Sequence, residues 1–451
     1  MDLTEVAGLM EARGIDVVRV GAADMDGVFR GKRVTREHFL RLAGGDGIAQ
    51  CDVLFGWDIA EEVIGDLPYS SWAGGFRDVI MRPDLSTFAV VPWEQGAASV
   101  ICDLYTDEGD VFPVAPRQVL RRVVERAAAA GLHCKAAVEY EARFFREDQE
   151  SLRAKDYAAL TPLSPGLNCY SIHHASIDED VIGDIRRQLI AYGIPIEGYN
   201  REHGAGMYEI NLRYGDALAA ADQGMLYKSA VKELAARHGV IPTFMAKYDD
   251  AIDGCSGHIH ESLWDAGGAN VLWDHAAPHH VSQTMRHFIA GVLATLPEFM
   301  LMYAPNVNSY KRFVAGTWAP TTATWGIENR TAAVRVIAPN AGAARIELRV
   351  PGADVTAYLG FAAALAGGLH GIANKLEPPP MVDGDAYAIR GLPPLPGTLA
   401  EAVGCFEASS IARDYFGDGF VEHYAAMRRW EIAKYDRAVT DWERRRYFEM
   451  V

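Results

Sequence analysis

Two patterns of hydrophobic and polar residues divide this chain into a front part and a longer rear part. In the first hundred or so residues, short segments alternate apolar with polar residues, which is typical of strands with one buried face. A short amphipathic helix is predicted before them, at 4–13, because Gly14 follows it as a stop signal. The predicted strands are at 16–22, 28–34, 79–82, 88–93 and 99–104. Asp, Gly and Pro cluster near 105–114, so we predict a small β-rich domain at 1–108.

The rear part, 109–451, alternates helices with strands. Pro116 opens a helix and Gly131 ends it, which is the usual placement of these two residue types. Further helices are predicted at 182–192, 218–238, 281–303 and 355–374, with a charged helical tail at 422–448. Strands are predicted at 134–145, 209–214, 243–247, 257–263, 331–338 and 345–350. The whole pattern predicts an α+β protein, in which a β-rich domain precedes a larger, mixed α/β domain.

Three of the predicted strands carry charged or imidazole side chains at every second position, so each set shares one face of its strand. The sets are Glu139, Glu141 and Arg143; His258 and His260; and Arg345, Glu347 and Arg349. Any one set alone is typical of a solvated sheet face, and a single histidine on a strand is more often structural. If the three faces converge, however, the carboxylates would repel one another unless a cation lies between them.

Such a convergence indicates a particular chemistry. Carboxylates with an occasional imidazole suit Mg²⁺ or Mn²⁺, and arginines grip polyphosphate in a bidentate manner. Metal ions combined with arginines are the apparatus of phosphoryl transfer. The chain has no Walker A sequence and no kinase-type glycine-rich loop, which argues against the common nucleotide-binding folds.

Composition narrows the choice of partners and compartment. Among 451 residues, 60 Asp and Glu outnumber 43 Lys and Arg, and the net charge of −17 argues against nucleic acid or a membrane as partner. The six cysteines form no Cys-x-x-Cys pair, which predicts reduced thiols in a cytoplasmic protein. The first residues show no signal-peptide pattern, and no apolar run is long enough to span a bilayer.

A family resemblance rests on motifs spread through nearly the whole chain. They are Glu139-x-Glu141, Glu202 followed by Glu209, 243–247, 254–263, 308–312, the loop 316–320, Asn329-Arg330, Arg335, Arg345-x-Glu347-x-Arg349 and Trp442-Glu443. In this order they resemble the type I glutamine synthetase superfamily. The resemblance implies an N-terminal β-grasp domain and a catalytic domain with a curved antiparallel sheet. It also implies ATP-dependent phosphorylation of the glutamate γ-carboxylate, at sites between subunits of a ring that is commonly a dodecamer.

The same resemblance implies roles for individual residues. It implies a first Mg²⁺ or Mn²⁺ held by Glu141, Glu202 and Glu209, and a second held by Glu139, His258 and Glu347. It implies ATP binding by Ser262, Arg330, Arg335 and Arg345, with Arg330 also catalytic. It implies binding of L-glutamate by Glu141, Gly254, Arg312 and Arg349.

Departures from the family pattern indicate which branch this chain resembles. Trp318 stands where glutamine synthetases have a loop glutamate that binds ammonium and takes its proton. Asp52 is a candidate for a second ammonium-site carboxylate, but the surrounding residues 50–57 do not match the family's Asp-Gly-Ser-Ser loop. Asp253 replaces an asparagine that helps to bind glutamate. This pattern is similar to the γ-glutamyl–amine ligases, which join glutamate to an organic amine.

Other interpretations stay open at this point. A true glutamine synthetase would need a relocated ammonium site, and a non-catalytic nitrogen-metabolite sensor would have no need of all six metal ligands. Trp318 is either a wall for the carbon body of an amine or a packing residue that stiffens its loop. Tyr387, at the spacing where some relatives are adenylylated, is interpreted as an ordinary surface tyrosine. The sequence does not indicate which amine is used or which group takes its proton.

Overall fold

The computed structural model describes residues 1–392 and 394–451. The helices are α1 Leu3–Arg13, α2 Arg36–Ala43, α3 Pro116–Ala129, α4 Gln149–Ala154, α5 Ile172–Ile177, α6 Ile182–Ala191, α7 Ala217–Ala236, α8 Gln283–Tyr303, α9 Ala357–Ala373, α10 Leu399–Ala408, α11 Ser410–Phe416, α12 Asp418–Arg437 and α13 Asp441–Tyr447. The strands are β1 Val17–Ala23, β2 Phe29–Thr35, β3 Ile48–Cys51, β4 Asp66–Leu67, β5 Ser70–Ser71, β6 Asp78–Pro83, β7 Ala89–Val90, β8 Ala97–Tyr105, β9 His133–Phe145, β10 Ile196–Arg201, β11 Met207–Leu212, β12 Gly215–Asp216, β13 Ile241–Thr243, β14 Gly257–Trp264, β15 Trp325–Ile327, β16 Val334–Ile337 and β17 Arg345–Leu348.

Two sheets organise these elements. The larger sheet has nine strands in the order β10-β11-β9-β14-β17-β16-β15, and the short strands β12 and β13 also pair with β9. Its pairings are antiparallel except for β15 with β16. The smaller sheet has the order β2-β1-β8-β6-β3, with β7 on β8 and a parallel pairing between β1 and β8. This mixed helix and strand content agrees with the fold class predicted from the sequence.

The long strand β9 shows how the large sheet separates its core face from its functional face. Its even-numbered residues from Cys134 to Phe144 are apolar and buried, and they contribute to the core that α7 and α3 cover. Side chains alternate along a strand, so the odd-numbered residues, which include the charged ones, point to the opposite face. The helices therefore support the sheet from one side and leave the charged side for chemistry.

Helices α8 and α9 cross behind the sheet with their backbones in contact. A Cβ atom on Gly291 would lie 2.1 Å from the carbonyl oxygen of Gly367, and one on Gly371 would lie 2.1 Å from that of His287. Only glycine permits such an approach. Helix α9 is apolar on all sides and almost wholly buried, as expected for a helix enclosed by the core.

Most predicted elements are confirmed within a few residues, and three differ for local reasons. The predicted strand at 243–247 is wrong: β13 ends at Thr243, and the Lys247 N–H bonds to the Asn308 side chain instead of a neighbouring strand. The strand at 88–93 is reduced to Ala89–Val90, because Pro92 and the turn that follows interrupt it. The helical tail is two helices, and a capping box at Thr440 and Glu443 starts the second one.

The front and rear parts share one continuous hydrophobic core. Buried Arg117 of α3 reinforces the junction, since it pairs with Asp103 of β8, with Asp84 just after β6, and with Asp222 of α7. Across residues 1–392 and 394–451, none of the helices is both long and apolar enough to cross a membrane.

Candidate active site

The register of the large sheet brings the three charged faces together. Directly opposite residues in antiparallel strands point to the same side of the sheet. Glu139 lies opposite His258, Glu141 lies opposite Glu209, and His260 lies opposite Glu347. The convergence that the alternating charges predicted is therefore present, on the side of the sheet away from α3 and α7.

Four of these side chains form what we call the His–Glu cluster: Glu139, His258, His260 and Glu347. His258 Nδ1 lies 3.4 Å from Glu347 Oε1 and 3.8 Å from Glu139 Oε2. His260 Nε2 lies 3.1 Å from Glu139 Oε1. One ligand atom from each of Glu139, His260 and Glu347 falls within 4.8 Å of the other two. His260 was outside the predicted ligand set, although its spacing from His258 put it on the same face, and the structure adds it as a candidate.

The two histidines differ in what holds their rings. Arg345 Nε donates to His260 Nδ1 at 3.2 Å. A guanidinium can only donate, so neutral His260 carries its proton on Nε2, the nitrogen that faces Glu139. Burial, assisted by nearby Arg349, lowers the pKa of His258 to about 4. His258 is thus neutral near pH 7, which is the form of imidazole that binds metal ions.

The negative charge of the His–Glu cluster is matched within the protein. Arg335 Nη1 donates to Glu347 Oε2 at 2.8 Å, and Arg349 binds the other oxygen of the same carboxylate. Burial opposes ionisation of Glu347, but His258, His260 and Arg349 outweigh it and lower its pKa to about 2. The pKa of Glu139 is lowered as well, because the two histidines outweigh its burial.

A second group, the carboxylate trio, consists of Glu141, Glu202 and Glu209. One carboxylate oxygen from each lies within 4.8 Å of the others, as the predicted ligand set requires. Neighbouring N–H groups orient them: the Ser256 backbone binds Glu141, Asn200 Nδ2 donates to Glu202 at 2.8 Å, and Asn211 Nδ2 donates to Glu209 at 2.7 Å.

The trio lacks the internal charge balance of the His–Glu cluster. Among the described residues, no Lys or Arg nitrogen lies within 4.0 Å of a trio carboxylate. Burial first, and the neighbouring carboxylates second, raise the pKa of Glu141 to about 7 and that of Glu209 to about 9. The pKa of Glu202 is raised too, again mainly by burial. Three crowded carboxylates with raised pKa values are the arrangement that a divalent cation would relieve.

The residues predicted to bind glutamate lie beside the trio. Buried Arg312 donates to the Val350 carbonyl at 2.9 Å and to the Arg349 carbonyl at 3.3 Å. Gly254 lies against it, since a Cβ on Gly254 would be 2.9 Å from Arg312 Cγ. Burial lowers the pKa of Arg312 to about 10, although the charge of Glu141 opposes that shift.

Arg330 is held through its backbone by Arg349. Its side chain is exposed, and Arg349 Nε donates to its backbone carbonyl at 3.0 Å. Its charge lowers the pKa of Tyr170, whose largest upward influence is Glu202 of the trio. Arg330 is thus tied through its backbone to Arg349, which also binds Glu347.

A cavity of about 410 Å³ opens next to the His–Glu cluster. Two of the residues predicted to bind ATP, Ser262 and Arg345, line it together with Glu139 and His260. Lys135 lies at the other end, with its ammonium group 4.4 Å from the ring of Trp264. Arg330 and Arg335 do not line this cavity. The volume is within the range of small-molecule pockets.

Trp318 occupies a turn in which its own backbone is left-handed, with φ of 63°. Its side chain is exposed, with a relative accessibility of 54%, so it does not pack into the core of this chain. The Tyr387 hydroxyl donates to the carbonyl of the next residue, Ala319, at 3.2 Å. Tyr387 is half-buried and its hydroxyl holds the loop. The interpretation of Tyr387 as an ordinary surface tyrosine rather than an adenylylation site stays a prediction.

Asp52 lies apart from the other predicted residues within one chain. It starts a short 3-10 turn after β3, where Ser70 Oγ donates to its carboxylate at 3.1 Å. Burial raises its pKa. It lines a separate cavity of about 260 Å³, which shares no residue with the His–Glu cluster or the trio.

Three residues at the trio were missing from the predicted site. Cys169 Sγ lies 3.9 Å from Glu202 Oε2, and Tyr170 follows it. Next to Glu202, His203 Nδ1 lies 2.7 Å from Asp253 Oδ2. Cys169 and Tyr170 belong to an irregular segment with no period, so only long-range folding brings them here.

Comparisons with known proteins agree with this arrangement. Residues 113–447 match the family described as glutamine synthetase, catalytic domain. The fold and the paired acidic groups therefore define a glutamine synthetase-type catalytic unit, and the chain belongs to the glutamine synthetase family.

Individual relatives lie in the amine-ligase branch of this family. The chain is 41% identical to a glutamate–isopropylamine ligase from a Pseudomonas species, over 100% of this chain and 98% of that protein. It is 40% identical to a gamma-glutamylethanolamide synthetase from Streptomyces coelicolor, over 100% and 96% of the two chains. The solved structure of ligand-free GmaS superimposes with a TM-score of 0.86 at 30% identity, covering 99% of this chain and 100% of that one.

Proposed function

We propose that this protein is an ATP-dependent ligase that joins the γ-carboxylate of L-glutamate to an organic amine through a γ-glutamyl phosphate. The observation that carries the proposal is a contrast between the acidic groups that suit metal ions and the loop that carries Trp318. The acidic groups for metal ions are assembled, whereas the loop position that would serve ammonium holds the exposed indole of Trp318. The relatives named for isopropylamine and for an ethanolamide support the same branch.

The two acidic groups fit hard divalent cations, because they offer carboxylate oxygens and imidazole nitrogen at suitable spacing. In our proposal, Glu141, Glu202 and Glu209 would hold one Mg²⁺ or Mn²⁺, and Glu139, His258 and Glu347 another. We retain His258 as ligand because Arg345 occupies His260 Nδ1 and leaves the His260 proton on Nε2. When bound, the cations supply Lewis-acid polarisation of phosphoryl and carboxylate oxygens.

The protein's own groups then divide the work of binding and transfer. Ser262 and Arg345 line the cavity that we assign to ATP, and Arg335 would meet the phosphates beside Glu347. Arg330, whose guanidinium group is free of ion pairs among the described residues, would stabilise the charge on the phosphoryl group in transit.

Glutamate is proposed to bind between the trio and buried Arg312, with Gly254 giving close backbone approach. Arg349 would act there indirectly. The Arg349 carbonyl accepts a hydrogen bond from Arg312, and the Arg349 guanidinium group donates one to the Arg330 carbonyl. Glu141 faces both the metal ion and the substrate in this assignment.

The amine is proposed to meet Trp318. An indole offers a large apolar surface and a π face, but neither an anion nor a base, so it suits the carbon body of an amine better than ammonium. Asp52 would reach such a site only from a neighbouring subunit, which supports a ring-shaped homo-oligomer, here proposed as a dodecamer. The group that takes the proton stays unassigned.

Two further proposals concern the chain as a whole. We propose that 1–108 is a β-grasp domain, supported by its mixed sheet with β1 parallel to β8 and helix α2 alongside. The boundary falls between β8 and α3. We also propose a cytoplasmic location, supported by six cysteines that are all unpaired.

Phosphate release at saturating ATP and glutamate tests the function. Ammonium is compared with isopropylamine, ethanolamine, other short alkylamines, aromatic amines and polyamines. We expect at least one organic amine to be used well and ammonium poorly. Trp318→Ala should raise the KM for that amine and leave the KM for glutamate nearly unchanged, while Trp318→Phe, the matched control, retains much of the apolar wall. If ammonium proves the best acceptor, the protein is a glutamine synthetase, and if no acceptor supports turnover, a sensor is indicated.

A further inference from the structure

Arg143 is a fully buried arginine on the functional face of β9, two residues after Glu141, and the roles above leave it unused. Its relative accessibility is 1%. Among the described residues, five other arginines are buried: Arg117, Arg201 and Arg428 each pair with an aspartate, and Arg349 pairs with Glu347. The fifth, Arg312, donates to backbone carbonyls and is the residue proposed to meet glutamate. Arg143 has no carboxylate within 4.0 Å among the described residues. Burying a charge without a counter-charge costs free energy, so the hydrogen bonds of Arg143 have to offset that cost.

Those hydrogen bonds join two separate loops. Arg143 Nη2 donates to the Asp253 carbonyl at 2.7 Å, and Nη1 donates to the Ala205 carbonyl at 3.4 Å. The first loop leads to Gly254, which lies against Arg312. The second loop follows Glu202 of the carboxylate trio. One guanidinium group, on the strand that carries Glu141, thus ties the loop after Glu202 to the loop before Gly254.

Two independent features match this arrangement. Gly204 lies directly on the guanidinium group, because a Cβ there would be 2.3 Å from Nη1 and 2.6 Å from Nη2. A side chain at that position would push the loop off Arg143. On the outer side, His203 and Asp253 join the same two loops a second time, with 2.7 Å between Nδ1 and Oδ2.

We infer that Arg143 is a positioning residue for glutamate binding. It touches neither substrate in this assignment, and acts by fixing Glu202 relative to Glu141 and by fixing Gly254 relative to Arg312. The inference rests on the proposed function for its substrate, but the geometry of the clamp stands without it. Displacement of a substrate-binding group by about 1 Å is enough to cost up to about 100-fold in rate.

Steady-state kinetics of Arg143→Lys, Arg143→Met and Gly204→Ala test the inference. A lysine can reach one carbonyl but not both, so Arg143→Lys should retain part of the function. We expect Arg143→Met and Gly204→Ala to raise the KM for glutamate by about 10-fold or more, while the KM for ATP changes by less than about 2-fold. Arg146→Met is the matched control, because exposed Arg146 also donates to a carbonyl, that of Leu163.

Hydrogen exchange of the substrate-free protein gives a readout that does not depend on activity. Backbone amides in 203–207 and 251–256 should exchange faster in Arg143→Met and Gly204→Ala, while those of β14 and β17 keep their wild-type rates. Lower thermal stability with unchanged exchange in both loops and an unchanged ratio of the two KM values would overturn the inference. If the wild-type protein uses no acceptor at all, the proposed function fails, and the exchange experiment still decides the role of Arg143.

Discussion

The His–Glu cluster and the carboxylate trio share β9, yet they have opposite electrostatic designs. In the cluster, Arg335 and Arg349 bind Glu347. His258 and His260, followed by Arg349, outweigh the burial of Glu347 and lower its pKa to about 2. In the trio, no Lys or Arg of the described residues pairs with a carboxylate, and burial together with the neighbouring carboxylates raises the pKa of Glu209 to about 9. The charge of the His–Glu cluster is therefore balanced within the protein, whereas the trio needs a bound cation to balance its charge.

The neighbouring strands explain this difference. Strands β14, β16 and β17 lie on one side of β9 and supply histidines and arginines to the cluster. Strand β11 and the end of β10 lie on the other side and supply Glu209 and, just after β10, Glu202. A chain that needs to hold a polyphosphate and an amino acid side by side thus separates the two chemistries by strand order.

Arg330 tests how the two halves work together and should give the largest effect. Arg330→Ala is expected to lower kcat by about 10³-fold to 10⁵-fold with a smaller change in the KM for ATP, because the charge it meets develops during transfer. Stopped-time phosphate assays across ATP concentrations measure both constants. A variant that changed only the KM would assign Arg330 to ground-state binding instead.

Substitution of Glu347 tests whether the charges of the His–Glu cluster are balanced without a bound ligand. Glu347→Ala leaves Arg335 and Arg349 without their shared carboxylate, so the metal-free protein should lose about 3–5 kcal/mol of stability. Denaturant unfolding in chelator measures the loss. Glu197→Ala serves as the control, since Glu197 lines the same cavity but is exposed. Equal stability of the Glu347 variant and the control would show that the arginines do not depend on Glu347.

Glu209 tests the opposite property of the trio. A pKa raised to about 9 keeps Glu209 protonated in the folded metal-free protein at pH 7, whereas the unfolded carboxyl is ionised, and this proton uptake costs free energy. Glu209→Gln removes that cost, so the metal-free protein should gain about 1–2 kcal/mol of stability. The same change should reduce the number of Mn²⁺ ions bound in isothermal titration calorimetry by one. Thus the two glutamate substitutions are predicted to shift stability in opposite directions, and a loss of stability in both would remove the contrast between the halves.

The pH dependence of the stability of the metal-free protein should also distinguish the trio from the His–Glu cluster. We expect this effect to be smaller than those of the substitutions above. The folded trio retains protons that the unfolded chain loses, because the pKa values of Glu141 and Glu209 rise from 4.5 to about 7 and about 9. Metal-free stability contributed by these groups is therefore full below pH 4.5 and is lost as pH rises towards 9. Saturating Mg²⁺ should cancel that loss, and Glu150→Gln, at an exposed position, should leave the slope unchanged.

The sequence predicted that Glu139 and Glu141 share one strand face and that Glu347 shares another with two arginines, because a period of two residues determines which side chains share a face. Whether the faces converge stayed a condition. The sequence could not predict the partner strands, since β9 pairs with strands more than 60 positions away. The separate behaviour of His258 and His260 depends on Arg345, which is remote in sequence. The clamp at Arg143 depends on the path of two loops over one side chain, and no local pattern encodes such a path.

The glycine crossing of α8 and α9 has a consequence for redesign of the acceptor site. Helix α8 leads into the segment that carries Arg312. The close backbone contact between Gly291 and Gly367 therefore helps to fix the position of that segment. Random mutagenesis of the whole gene would inactivate many variants at this crossing. Those variants would lose activity because Arg312 is displaced, and not because the amine is recognised differently. Under the proposed function, a library confined to 314–318, where the side chains of Val314 and Trp318 are exposed, is expected to vary the amine accepted while it leaves this crossing unchanged.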